Sequence, residues 1–166
     1  TIDPPCARTD KGIVRGKRVI DAMGRDGLLA TRLGLRQYHP QLRNAARTMW
    51  FEGVRRLEPE TPGDIVIACF EGGWFWFIPF ADGVTSVGSV TTKDSGIKGD
   101  WEASLARCPA ARERLEGATS VSEMRGLQDF SAVSERFWGD DWALCGDAAV
   151  FIDPIFSSGV LLGLEG

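Results

Sequence analysis

Between residues 64 and 90 the chain carries three short apolar runs, 64–70, 73–80 and 84–90, joined by the glycine-bearing connectors Glu71-Gly72 and Ala81-Asp82-Gly83. Runs of this length bounded by turn residues predict strands, and the glycines fit tight turns, so an antiparallel meander is expected. In the middle run, strand geometry sets Trp74, Trp76 and Ile78 on one face and Phe75, Phe77 and Pro79 on the other. Both faces are apolar. Such a strand must be covered twice, by core on both sides or by core on one and an aromatic-walled ligand cavity on the other. An indole N–H needs a partner when buried, so two tryptophans on one face favour a wall over filler.

The rest of the chain predicts a mixed architecture. Residues 16–22 and 48–54 fit strands, and 26–33 fits a short helix with an acidic cap. Helices are expected at 100–107 and 109–116, with Arg112, Glu113, Arg114 and Glu116 on a solvated face. Strands return at 134–138 and 142–145. No internal repeat or low-complexity linker interrupts the pattern.

The short apolar strand Trp142-Ala143-Leu144-Cys145 stops at Gly146-Asp147. The glycine allows close backbone approach to a ligand, and the carboxylate accepts hydrogen bonds from sugar or ribityl hydroxyls. Further on, Ser157-Ser158-Gly159 precedes Val160-Leu161-Leu162-Gly163-Leu164-Glu165, the pattern of a hydroxyl-capped helix start. Amide N–H groups there suit an anion such as a halide, or the anionic N1–C2 edge of a reduced flavin. A Gly-Asp turn and a serine-capped helix are each also common in purely structural roles.

With 166 residues, 43% hydrophobic and 25% charged, the chain suits one ordinary globular domain. A formal charge of −4 argues against a general electrostatic grip on nucleic acid or anionic membrane. No apolar run has the length of a membrane span, and no signal peptide is recognisable. Cys6, Cys69, Cys108 and Cys145 are far apart, and His39 is the lone histidine. This predicts reduced thiols in a cytoplasmic protein and no metal site. His39 beside Pro40 fits a solvated loop, and no nucleophile-elbow sequence supports a Ser-His-Asp triad.

Three elements together resemble the flavin-dependent halogenases and their close FAD-dependent oxidoreductase relatives. These are Trp74-x-Trp76-x-Ile78-Pro79, Gly146-Asp147-Ala148, and Asp153-Pro154-x-Phe156-Ser157-Ser158-Gly159. Upstream, Arg18-Val19-Ile20-Asp21-Ala22-Met23-Gly24-Arg25 is similar to the segment that closes the dinucleotide-binding part in this wider flavoprotein group. The resemblance implies a mixed α/β (α+β) chain, part of a FAD-binding fold of the glutathione reductase and aromatic hydroxylase type, with an antiparallel substrate-domain sheet. It implies that 1–34 ends one FAD-binding segment, 35–136 forms the substrate domain, and 137–166 returns to FAD. No Gly-x-Gly-x-x-Gly fingerprint occurs. The dinucleotide-binding βαβ unit is therefore expected in a longer protein, of which this chain would be an internal piece inactive by itself.

The same resemblance implies a reaction. Reduced FAD, supplied by a flavin reductase, forms a hydroperoxide with oxygen; halide attacks it, and the hypohalous acid halogenates an electron-rich ring in a second pocket. Gly146, Asp147, Ala148, Pro154, Ser158, Gly159 and Val160 would hold the cofactor. Ser158 and Gly159 would also bind halide, and Trp74 and Trp76 would form the partition wall. Tryptophan halogenases carry a glutamate where this chain has Phe156, which points instead to phenolic or pyrrolic substrates, often tethered to a carrier protein. The family's catalytic lysine is expected upstream, since neither Lys11 nor Lys17 has the right context, and Leu161 stands where a histidine is frequent. A non-halogenating FAD monooxygenase or reductase, and a non-enzymatic binding module, remain as alternatives.

Overall fold

The computed structural model describes residues 6–57 and 61–165, which divide into two compact units: 6–40 with 130–165, and the described residues of 41–129 between them. The first unit begins with an exposed hairpin, β1 (Cys6–Thr9) and β2 (Gly12–Arg15), followed by β3 (Val19–Asp21), a 3-10 turn at Gly24–Asp26, α1 (Leu28–Arg32) and β4 (Arg36–Tyr38). The second unit holds β5 (Ala45–Glu52), β6 (Val66–Phe70), β7 (Gly73–Pro79), β8 (Thr85–Thr91), α2 (Trp101–Arg107), α3 (Pro109–Leu115), β9 (Thr119–Ser120) and β10 (Arg125–Gln128). The chain then re-enters the first unit through β11 (Ala132–Ser134), β12 (Trp142–Leu144), a 3-10 turn at Gly146–Ala148, β13 (Val150–Phe151), a 3-10 turn at Pro154–Phe156 and α4 (Gly159–Glu165). The mixed α/β class and the antiparallel sheet agree with expectation.

The meander forms as predicted, as the consecutive strands β6, β7 and β8. Gly72 and Gly83 in its turns both have φ of 91°, a conformation that favours glycine. The full sheet runs β10-β5-β8-β7-β6 and is antiparallel throughout, with β9 beside the end of β5. One face carries the core: Phe51, Ala68, Phe75, Phe77 and Val87 pack with Trp101 of α2, Ala111 of α3 and Cys108 at the junction between the two helices. Helix α2 starts where the Asp100 side chain accepts the Ala103 N–H at 3.0 Å, and α3 starts at Pro109, whose missing N–H costs a helix nothing there.

Three local expectations differ from the structure. Arg114 does not lie on a solvated face: it is 7% exposed, with its guanidinium carbon 5.5 Å above the Phe77 ring. It shares the sheet-facing stripe of α3 with Ala111, and its long stem covers the aromatic layer while the charge rests on a ring face. The helix expected at 26–33 is split into a 3-10 turn and α1, with Gly27 at φ 42° between them. Its capping carboxylate is Asp21, not Asp26. The strand expected at 134–138 stops at Ser134, because the chain folds back through Gly139, whose N–H donates to the Trp142 carbonyl at 2.9 Å.

In the first unit β12 lies parallel to β3, while β4, β11 and β13 form an antiparallel sheet. Trp142 and Leu144 bury themselves against Leu29, Ala30, Leu35 and Ala149. Asp21 ends β3 as a carboxylate only 4% exposed, accepting the Met23 N–H at 3.0 Å and the Leu29 N–H at 2.7 Å. Asp21→Ala should orphan both donors and lower unfolding free energy by about 1–3 kcal/mol. A urea midpoint unchanged from wild type would refute this.

At the end of the second unit Asp129 adopts φ 49° and donates its N–H to the Asn44 carbonyl at 2.8 Å. Its carboxylate accepts from Lys98 at 2.7 Å and Arg43 at 3.2 Å. The Lys98 hydrogen bond, helped by Arg43 and opposed by partial burial, holds the carboxyl below its ordinary value. The stability it contributes is therefore complete above the ordinary carboxylate pKa and is lost as pH falls through the lowered native value. Asp129→Asn should cost less than about 1 kcal/mol at neutral pH and flatten the acid limb of a stability–pH curve. An acid limb as steep as wild type would contradict the pairing.

Candidate functional site

The parallel pair β3 and β12 sets the first candidate site, because ligands in such α/β arrangements lie beyond the carboxyl ends of the strands. Both strands end there in an acidic turn. Cys145 N–H donates to the Asp21 carbonyl at 2.9 Å, which carries the ladder one step past β12 before Gly146 turns the chain at φ 57°. Ala148 is fully buried, with Ser134 Oγ donating to its carbonyl at 3.4 Å. That anchorage leaves the preceding Asp147 carboxylate half-exposed and without a hydrogen bond among the described residues.

The chain returns through β13 to Asp153, whose carboxylate accepts the Ile155 N–H at 3.0 Å and shapes the turn at Pro154. Ser157 then adopts φ 51°, and the Ser158 carbonyl accepts the Leu162 N–H at 3.0 Å as α4 begins. The result is a cleft of about 230 Å³ lined by Asp147, Phe151, Pro154, Ser158, Gly159 and Val160 among others. Gly146 and Ala148 flank it. A Cβ on Gly159 would lie 3.7 Å from Asp147 Oδ1, so the turn and the start of α4 face each other at close range. Gly146 and Gly163 cross likewise, a Cβ on either falling 3.7–3.8 Å from the other's Cα.

This cleft pairs an unengaged carboxylate and an apolar wall with backbone approached through glycines. Its lining offers a carboxylate acceptor at Asp147 and apolar surface at Phe151, Pro154 and Val160. Among the described residues no group of three or more His, Cys, Asp or Glu is arranged to hold a metal, and the four cysteines are free thiols. No helix among them is long and apolar enough to cross a membrane.

The second predicted group lies in the other unit. Phe75 and Phe77 face the core, while Trp74 and Trp76 stand on the opposite sheet face with their rings 5.8 Å apart and tilted 51°. Trp74 is 8% exposed; Trp76 is half-buried. The register sets Val90 opposite Trp74, Gly88 opposite Trp76 and Ser86 opposite Ile78. Trp76 Nε1 donates to Ser86 Oγ at 3.3 Å. Sequence reasoning did not single out Ser86 or Gly88; the available signal was a run of small residues, Ser86-Val87-Gly88-Ser89, in a strand beside bulky aromatics.

Comparison with known proteins gives concordant matches. Residues 7–166 match the family model described as Tryptophan halogenase. A flavin-dependent halogenase of Armillaria mellea, armH4, is 36% identical over 89% of this chain and 33% of its own length. The 1H-pyrrole-2-carbonyl-[peptidyl-carrier protein] chlorinase of Pseudomonas fluorescens is 36% identical over 92% of this chain and 36% of its own. Among solved structures, the myxobacterial chondrochloren halogenase CndH superimposes with a TM-score of 0.83 at 37% identity, covering 96% of this chain and 40% of that one. The chain thus spans about a third of the curated relatives it matches. Over those residues, the match in sequence and fold places the chain in the tryptophan halogenase family.

Proposed function

We propose that the protein carrying this chain is a FAD-dependent halogenase acting on an electron-rich aromatic substrate, phenolic or pyrrolic. The observation that carries the proposal is the single cleft that gathers Asp147, Pro154, Ser158, Gly159 and Val160 in a member of this family. When bound, reduced FAD would give two electrons to dioxygen, whose remaining two-electron oxidising capacity would take halide to the hypohalous level with release of water. Asp147 accepts hydrogen bonds from the ribityl chain, and Gly146 keeps the approach of backbone to ligand open. The amides of Ser158 and Gly159 donate to the halide and the flavin edge, where oriented dipoles hold a small anion without a formal positive charge. Pro154 and Val160 exclude water from the ring. Trp74 and Trp76 serve as the wall that denies the substrate direct oxidation.

Phe156 in place of a glutamate supports a substrate ring reactive enough to need no added carboxylate. The likeness to a chlorinase of a pyrrolyl carrier protein supports a carrier-tethered substrate. A flavin reductase is the natural source of reduced FAD, and the cytoplasm the compartment that keeps four thiols reduced. The test supplies reduced FAD, oxygen and chloride or bromide to the purified protein with phenolic and pyrrolic acceptors, and reads product mass. Halide-dependent product with the halogen isotope pattern is expected. Hydroxylated product alone would assign a monooxygenase instead, and protein that takes up no FAD would end the proposal.

A further inference from the structure

We propose that Gly88 and Ser86 of β8 are positioning residues that hold the Trp76 indole flat across the sheet in one orientation. The inference rests on the reading of Trp76 as wall, but its geometric part stands without it. Gly88 lies directly opposite Trp76 in the ladder, on the same face. A Cβ there would fall 2.5 Å from Trp76 Cε2 and closer still to Cζ2 and Cη2, which real Cβ atoms do not tolerate. The six-membered ring of the indole thus occupies the space that any other residue would fill. Gly88 is buried, and glycine inside a strand marks such a close approach.

Ser86, one step along the same face of β8, supplies the second constraint. Its Oγ accepts the Nε1 hydrogen at 3.3 Å, so the glycine sets where the ring lies and the hydroxyl sets which way it points. Trp74 closes the other side at 5.8 Å. A half-buried indole without these contacts would sample other rotamers, and a wall that moves admits what it should exclude.

The test begins with a thermal double-mutant cycle on flavin-free protein. Gly88→Ala should lower Tm in the native background and lose that penalty in a Trp76→Ala background, because the substitution is harmful only while the indole is present. Equal penalties in both backgrounds would overturn the proposal. The paired indoles should also give an exciton couplet in far-ultraviolet circular dichroism, assigned by its loss in Trp74→Phe. Ser86→Ala should weaken that couplet and Ser86→Thr restore it; a full couplet in Ser86→Ala would remove the hydroxyl from the account. In the FAD-loaded protein, Ser86→Ala should raise the fraction of unhalogenated or uncoupled turnover. If the cycle and couplet respond while the product ratio does not, the indole is held as described and the assignment of Trp76 as wall fails instead.

Discussion

Gly159→Asp is expected to reduce FAD affinity about 100-fold, on the order of 3 kcal/mol. The new side chain starts 3.7 Å from Asp147 Oδ1, so two carboxylates would share one cleft. Like charges about 4 Å apart near a protein surface repel by about 4 kcal/mol at an effective dielectric of about 20, before solvent screening lowers the figure. The same carboxylate would meet the anionic edge that the amides are proposed to hold. Gly159→Ala is the control: its methyl would sit at an ordinary contact distance and should change affinity little. Flavin titration followed by absorbance or fluorescence quenching compares the two. Equal affinities for the aspartate and alanine variants would move the flavin edge away from this turn.

The largest effect on folding is expected from Phe75→Ala. Phe75 is completely buried, with its ring 5.4 Å from Trp101, 5.7 Å from Phe70 and 6.4 Å from Phe77. Truncation should cost about 3–5 kcal/mol, a transfer term plus the cavity that the rigid aromatic layer cannot close. That is a large share of the roughly 5–15 kcal/mol that stabilises an ordinary domain. Urea unfolding followed by tryptophan fluorescence should show the shift. A loss under about 1 kcal/mol would mean that the sheet and α2 repack more freely than close packing allows.

The elements foreseen from sequence are those whose periodicity is enforced by burial on at least one face. The meander was clear because Trp74 to Ile78 must be covered, and because Gly72 and Gly83 mark its turns. By contrast β1, β2, β9 and β10 are exposed along their whole length, so nothing in Arg125-Gly126-Leu127-Gln128 distinguishes a strand from a loop. Arg114 misleads for a related reason: its charge suggests water, while its place beside Ala111 on α3 decides burial. The cleft residues lie close together in sequence, within 147–160, and a local motif could indicate them. Ser86 and Gly88 acquire their meaning only through register across the sheet, which no single stretch of sequence contains. Asp21 falls between these cases, since its position at a strand end is local but its second acceptor contact, to Leu29, is not.

The hydrogen bond from Asp129 to Asn44 bears on how the chain assembles in time. The parallel ladder of Val19 with Trp142 joins segments separated by the whole of Gln41–Asp129, and closing so long a flexible loop carries an entropic cost that rises with its logarithm. If the intervening sheet forms first, its two ends are already side by side and most of that cost has been met by contacts of short range. Folding would then run from the middle outward, and on a ribosome the inserted unit would be complete before β12 emerges.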